Sequence, residues 1–277
     1  MNFRTMVWSV RREVWENRSI YIAPLIVAAV IVFGALIATL AGRHTVKFDT
    51  PPDKIAQHYD IAAGVLMGTT LIVAIFYCLD ALYGERRDRS ILFWKSMPVS
   101  DRTTVLAKMA IPLVILPVVT FVIALATHLI MLLLSSAFLL TQGHSPAALW
   151  ALPWLRMWVG LFWHLLSVHS LGYAPVFAWL LLVSAWAKRL PFLWAFLPPA
   201  AIGVVEKMVF NTSRFGTMIG SILSGGEMKD SMKGGGSMFV HFNPGEFLTR
   251  PGLWIGLFVA AACLAGAVRL RRYRDPI

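Results

Sequence analysis

Apolar residues run almost unbroken over 20–40, 61–83, 109–134, 165–187, 191–209 and 252–269. Each run approaches the ~20 residues a helix needs to cross a bilayer, so the pattern predicts six membrane-spanning helices. Ahead of the first, Phe3, Met6, Val7, Val10 and Val14 interleave at helical spacing with Arg4, Arg11, Arg12, Glu13, Glu16 and Arg18. That predicts an amphipathic elbow helix over 2–18 with a basic polar face, lying in the membrane interface. The first run is too long for a cleavable leader and Leu40-Ala41-Gly42 matches a cleavage site poorly, so it is expected to stay as a span.

Two regions break the simple pattern. Residues 145–187 are too many for one span and are interrupted by Pro146, Pro153, Arg156 and Pro175. Trp150, Trp154, Trp158 and Trp163 suit the headgroup level, which places an outer interfacial helix over 147–163 before a fourth span at 165–187. A single long, tilted helix is the alternative. Residues 211–250 hold Gly225-Gly226 and Gly234-Gly235-Gly236 between apolar pieces at 215–223 and 238–242. Short re-entrant helices joined by a glycine turn would bury those pieces while satisfying their backbone. The expected architecture is an all-α polytopic membrane domain over 1–277, without the inverted repeat of secondary transporters.

Composition agrees with the pattern: 58% of the 277 residues are hydrophobic and 14% charged, against roughly 25% charged in a soluble domain. Mean hydropathy is +0.69. Soluble globular, disordered, collagen-like and disulfide-stapled classes are excluded. Cys78 and Cys263 lie in apolar runs without ligand spacing and read as buried thiols. The net charge of +11 would suggest nucleic acid in a soluble chain, but its placement points elsewhere. With the N-terminus inside, sixteen of the 25 lysines and arginines fall on cytoplasmic segments and nine on longer outer ones. This charge bias places both termini in the cytoplasm of a cell-membrane protein, makes anionic lipid a contact, and removes nucleic acid as a partner.

Several chemistries are missing. No phosphate-loop motif of the form Gly-x-x-x-x-Gly-Lys-[Ser/Thr] occurs, so any use of ATP needs a partner. No His-Glu-x-x-His, Gly-x-Ser-x-Gly or paired-carboxylate pattern appears, and no catalytic residue is assigned. His128, His164 and His169 read as helix-packing groups, the last two five residues apart and thus on different faces of an α-helix. Met228, Met232 and Met238 offer soft donors for copper(I), but Lys229 and Lys233 oppose a cation. No metal or cofactor is expected on the chain.

The loop 84–104 carries the most information. Glu85, Arg86, Arg87, Asp88 and Arg89 are followed by Ile91, Leu92, Phe93 and Trp94, an apolar patch too costly to leave in water without a partner. Pro98 should end a short helix, and Ser100 or Asp101 should cap the next, which continues through Lys108 into the third span. Three further ionisable groups sit at membrane depth. Asp80 lies at the inner end of the second span, within reach of Arg86, Arg87 or the elbow helix, where an ion pair is expected ahead of a gating role. Glu206 and Lys207 lie at the outer end of the fifth span as candidates for the border of a transport path.

With its Glu85, Arg86, Arg87, Ser90, Leu92, Pro98 and Ser100, the loop resembles that of the permease subunits of the type-2 ABC exporter family, although Ser90 stands where glycine is common. The resemblance covers essentially the whole chain. It implies that the loop is a coupling helix seated in a groove of a separate ATPase. Two ATPases holding ATP and Mg would then assemble with two copies of this chain to export a substrate. Lys188 and Arg189, after the fourth span, join Glu85, Arg86, Arg87, Asp88, Arg89, Leu92, Phe93 and Trp94 in the coupling set. It also implies re-entrant helices between spans five and six. A membrane anchor or sensor that binds a cytoplasmic protein through the same loop, without transport, is the other reading. An amphipathic small molecule, lipid-like compound or peptide would suit a pathway between apolar, Trp- and Phe-rich subunits.

Overall fold

The computed structural model describes residues 3–41, 52–96, 99–223, 239 and 244–273, and every regular element among them is helical. In chain order these are α1 (Phe3–Glu16), α2 (Ser19–Leu40), α3 (Pro52–Ala81), α4 (Tyr83–Arg87), α5 (Ser90–Ser96), α6 (Asp101–Ala110), α7 (Leu116–Thr141), α8 (Ala147–Trp150), α9 (Trp154–His164), α10 (Ala174–Trp186), α11 (Pro191–Phe210), α12 (Arg214–Leu223), α13 (Pro244–Leu248) and α14 (Pro251–Tyr273). Two π-helical segments, π1 (Ile111–Ile115) and π2 (Leu165–Gly172), join α6 to α7 and α9 to α10. Five helices are long and apolar enough to cross a membrane, and the bent pair Trp154–Gly172 with Ala174–Trp186 makes a sixth if counted as one span. The glycine runs and methionines of 224–238 lie outside the described residues, as does Pro98.

The limits of the helices differ from the hydropathy reading for local reasons. α3 begins at Pro52, ahead of the apolar run that starts at 61, because Pro supplies an N-terminal turn that needs no N–H. α6, π1 and α7 form one continuous helix from Asp101 to Thr141. Ser100 caps it, its Oγ accepting the Thr103 N–H at 3.2 Å, as one of the two expected caps. Pro112 removes a backbone donor inside that helix, and π1 absorbs the break. Ser100→Ala is expected to cost about 1 kcal/mol, read as a lower thermal midpoint of the detergent-solubilised chain.

Over 147–186 the helix boundaries differ from the split drawn from the tryptophans. Only α8 stands apart; from Trp154 the helix continues through π2 and then bends by 44° before α10. Pro175 at the start of α10 cannot donate to the turn behind it, which explains the bend. The helix that stands apart is thus four residues long, and Trp154, Trp158 and Trp163 belong to the helix that leads into π2.

Small residues let the central helices approach. α10 packs along α14, where a methyl on Gly256 would lie 2.9 Å from Pro175 Cγ and one on Gly266 3.1 Å from Leu182 Cδ1. Such contacts are the main source of cohesion between helices in lipid. Polar pairs add to it: Thr70 and Thr120 hydroxyls meet at 2.5 Å, and His128 and His169 donate from Nε2 to the carbonyls of Tyr59 and Met67 at 3.0 and 3.1 Å. Both histidines thereby fasten neighbouring helices to α3. π2 also revises the expected geometry of His164 and His169. An i→i+5 helix stacks residues five apart over one another, so both rings point inward and are buried.

At the edge of the bundle, α11 buries only Ala195, whose carbonyl accepts the Trp179 Nε1–H at 3.1 Å. The regular elements described within 211–250 are α12 and α13, with Phe239 described between them. Phe239 is buried against Ala63, Leu66, Met67, Ala124, Leu161 and Leu165, and its ring meets that of His164 edge-on at 5.8 Å.

Candidate functional site

The first and last described helices and the loop after α3 converge at one end of the bundle around a group of buried charges. α1 contributes Arg12 and Glu13, α4 Glu85 and Arg86, α6 Asp101 and Lys108, and α14 Arg271. Glu13 lies on the stripe of α1 that also carries Val10 and Val14, so packing α1 on the bundle carries its carboxylate inside. There Lys108 Nζ donates to its two oxygens at 2.9 and 3.0 Å, Tyr77 Oη donates to Oε2 at 2.9 Å, and Arg12 Nη2 donates to Oε1 at 2.5 Å. Burial pushes the Glu13 carboxyl up, but Lys108 and Arg12 more than offset it and hold it below its ordinary 4.5.

Glu85 forms the second centre. Lys108 Nζ lies 3.1 Å from Oε1, Arg12 Nη2 is 3.7 Å from the same oxygen, and Arg271 Nη1 pairs with Oε2. Arg271 turns its Nε to Asp101 Oδ1 at 3.1 Å. Three carboxylates therefore face three cations. Arg86 is held differently: its Nη1 donates to the carbonyls of Ala185 and Ala187 at 2.7 and 3.1 Å. These close the C-terminal end of α10, where a guanidinium satisfies orphan carbonyls and meets the negative pole of the helix.

The expected coupling residues divide into two groups. Glu85 and Arg86 are buried, as is Ile91, and present no surface to a partner. Arg87, Asp88, Arg89, Leu92 and Phe93 are exposed, as are Lys188 and Arg189. Trp94 is half-buried, with the Arg12 guanidinium 3.8 Å over its ring, and Lys95 Nζ reaches the Arg272 carbonyl at 3.5 Å. α5 is consequently pinned along one edge to α1 and α14 and shows Leu92 and Phe93 on the other.

The remaining candidates are dispersed. Asp80 is exposed and pairs with Arg87 at 4.0 Å rather than with the elbow helix, because the α3–α4 turn folds Arg87 back over it. Glu206 serves the backbone: Oε1 accepts from Thr212 Oγ1 and the Arg214 N–H, both at 2.8 Å, and Oε2 accepts from the Phe215 N–H at 2.9 Å. It caps α12 from eight residues upstream, across a turn at Asn211, whose φ of 48° is a left-handed value asparagine tolerates. Lys207 is exposed beside it.

Arg12, Glu13, Lys108 and Arg271 were not singled out from the sequence. The signal was present for two of them. Glu13 interrupts an apolar stripe, and Lys108 lies one helical step from Val105 and Met109 just before a long apolar run. Among the described residues no three histidine, cysteine, aspartate or glutamate side chains are grouped to hold a metal ion. Cys78 and Cys263 are free thiols, the first buried and the second half-buried. Comparison with protein-family models, curated proteins and solved structures gives no match.

Proposed function

We propose that this chain is the permease subunit of an ATP-driven exporter of the type-2 ABC class, two copies of which work with two copies of a separate ATPase. The supporting observation is α5, which exposes Leu92 and Phe93 at 58% and 60% on a short polar-flanked helix held in place by the buried charges. Two large apolar side chains on a rigid, charged mount are what a protein groove takes up, with Arg87, Asp88 and Arg89 on its rim. Closure of an ATPase dimer beneath α5 would push on α4 and α6, which continue directly into the long helices α3 and α7. Lys108 and Arg271 would carry the same displacement to α1 and α14. This is a rigid-body switch with the charges as its joint. ATP and Mg belong to the partner, and the substrate class is an amphipathic small molecule, lipid-like compound or peptide. Lys207 is the pathway candidate whose side chain is exposed; Glu206 is occupied as a cap.

The test is purification of the tagged chain in mild detergent from its native host, with mass spectrometry of what accompanies it. A stoichiometric partner with a phosphate-loop ATPase fold is expected for the wild type. Recovery should fall tenfold or more for Leu92→Ala/Phe93→Ala, with the permease still monodisperse. Reproducible absence of an ATPase from the folded wild-type chain would transfer the loop to an anchor or sensor role. Full association and substrate-stimulated hydrolysis in the double variant would remove Leu92 and Phe93 from coupling.

A further inference from the structure

The outward face of α1 carries an ordered stripe that neither the packing of the bundle nor the proposed coupling uses. Arg4, Trp8, Arg11 and Trp15 follow one another at steps of four, three and four, which on an α-helix is a single line, and Arg18 follows just past its end. All five are exposed. The Arg11 guanidinium sits 5.4 Å from the Trp8 ring centre and 4.5 Å from that of Trp15. Among the described residues no carboxylate pairs with Arg4, Arg11 or Arg18, whereas Arg12, one position round the helix, binds Glu13 and Glu16. The cations of α1 are thus sorted: one turned inward to the buried charges, the others left outward between indoles.

Exposed tryptophans in this number are unfavourable in water and favourable where an apolar ring meets a wet edge, which is the headgroup level of a bilayer. α1 leads within three residues into α2, an apolar helix long enough to cross, so the stripe lies where a leaflet begins. A guanidinium held by stacking offers a planar fork that matches phosphate oxygens and loses less freedom on binding. We propose that Arg4, Trp8, Arg11 and Trp15 form a binding surface for anionic phospholipid headgroups, the indoles at the acyl boundary and the guanidiniums on phosphate. An acidic protein would match the charge but not the alternating indoles or the continuity with a span. Lipid on this face presses α1 onto the bundle and so reinforces the contacts of Glu13 on the other side. The inference does not depend on the transporter reading.

The experiment is thermal unfolding of the full detergent-solubilised chain in mixed micelles containing phosphatidylglycerol or phosphatidylcholine. Phosphatidylglycerol is expected to raise the midpoint of the wild type saturably, phosphatidylcholine to leave it unchanged, and high salt to weaken the response, since exposed charges are screened. Each guanidinium near an anionic surface contributes about fivefold in affinity, so Arg4→Gln/Arg11→Gln should need about 25-fold more phosphatidylglycerol for half the effect. Arg156→Gln, exposed elsewhere on the chain, should respond as the wild type does. Equal responses to the two lipids, an equal loss in Arg156→Gln, or the same stabilisation by soluble inorganic phosphate would overturn the proposal. So would a change of oligomeric state in the double variant without lipid dependence, which would make the stripe a protein interface. The salt series on the wild type stands even if the double variant does not fold.

Discussion

Lys108→Met is expected to destabilise the chain by about 3–5 kcal/mol, because it leaves Glu13 and Glu85 buried and short of a cation. Lys108 Nζ touches both carboxylates at 3.1 Å or less while being itself only 3% exposed. Arg12 alone would then balance Glu13, and it is already divided between Glu13, Glu16 and Glu85. Glu13→Gln/Lys108→Met should recover a large part of the loss, since removing both charges lifts the desolvation cost of each. The check is a double-mutant cycle on the thermal or denaturant midpoint of the purified chain. Single-variant losses that merely add, or a Lys108→Met loss below about 1 kcal/mol, would show that the charges are not energetically joined. The same centre predicts a pH dependence. The carboxyl of Glu13 is lowered in the folded state, so its contribution is complete above the ordinary 4.5 and is lost as pH falls through the lowered value. Acidification below the ordinary carboxylate range should therefore reduce the midpoint of the wild type more than that of Glu13→Gln.

Gly160→Ala is expected to be the most disruptive single methyl addition among the described glycines. A Cβ at Gly160 would lie 1.8 Å from the carbonyl oxygen of Phe239 and 2.7 Å from its carbonyl carbon. The obstacle is backbone, so no rotamer change relieves it; either α9 shifts or Phe239 leaves its place. Overpacking of this kind costs about 1–3 kcal/mol, and the upper end applies where backbone must move. Loss of Phe239 also removes the edge-on partner of His164 and opens the cluster around Leu66 and Leu161. A cysteine placed at 239 in the Gly160→Ala background should react with a polar maleimide much faster than in the parent. Unchanged labelling together with an unchanged midpoint would mean that the contact does not hold Phe239 in place.

How far these features could be read from residues follows from the range of the interactions. Hydropathy is a local sum, and 18 or so apolar residues in a row leave a helix little alternative in lipid. The helical class, the presence of five or six apolar helices long enough to cross a membrane, the helix over 3–16 and the Ser100 cap were therefore legible. Boundaries were less so at Pro52, Pro112 and Pro175, where proline acts on turns that periodicity treats as uniform. The phase of His164 and His169 was misread for a related reason: π2 changes the repeat from i→i+4 to i→i+5, and nothing in residue spacing announces it.

The candidate site separates along the same line. Leu92 and Phe93 are anomalous within their own loop, and that anomaly is visible without any fold. The roles of Glu85, Arg86 and Asp80 are not, because a charge shows its type in the sequence but not its partner. Glu85 meets Arg271 across 186 positions, Lys108 meets Glu13 across 95, and Arg86 finds the end of α10 across about 100. Apolar runs made the chain helical and suited to a membrane by residue type alone; packing decided which charges are buried joints and which face outward, since only packing sets the distance and water content between them.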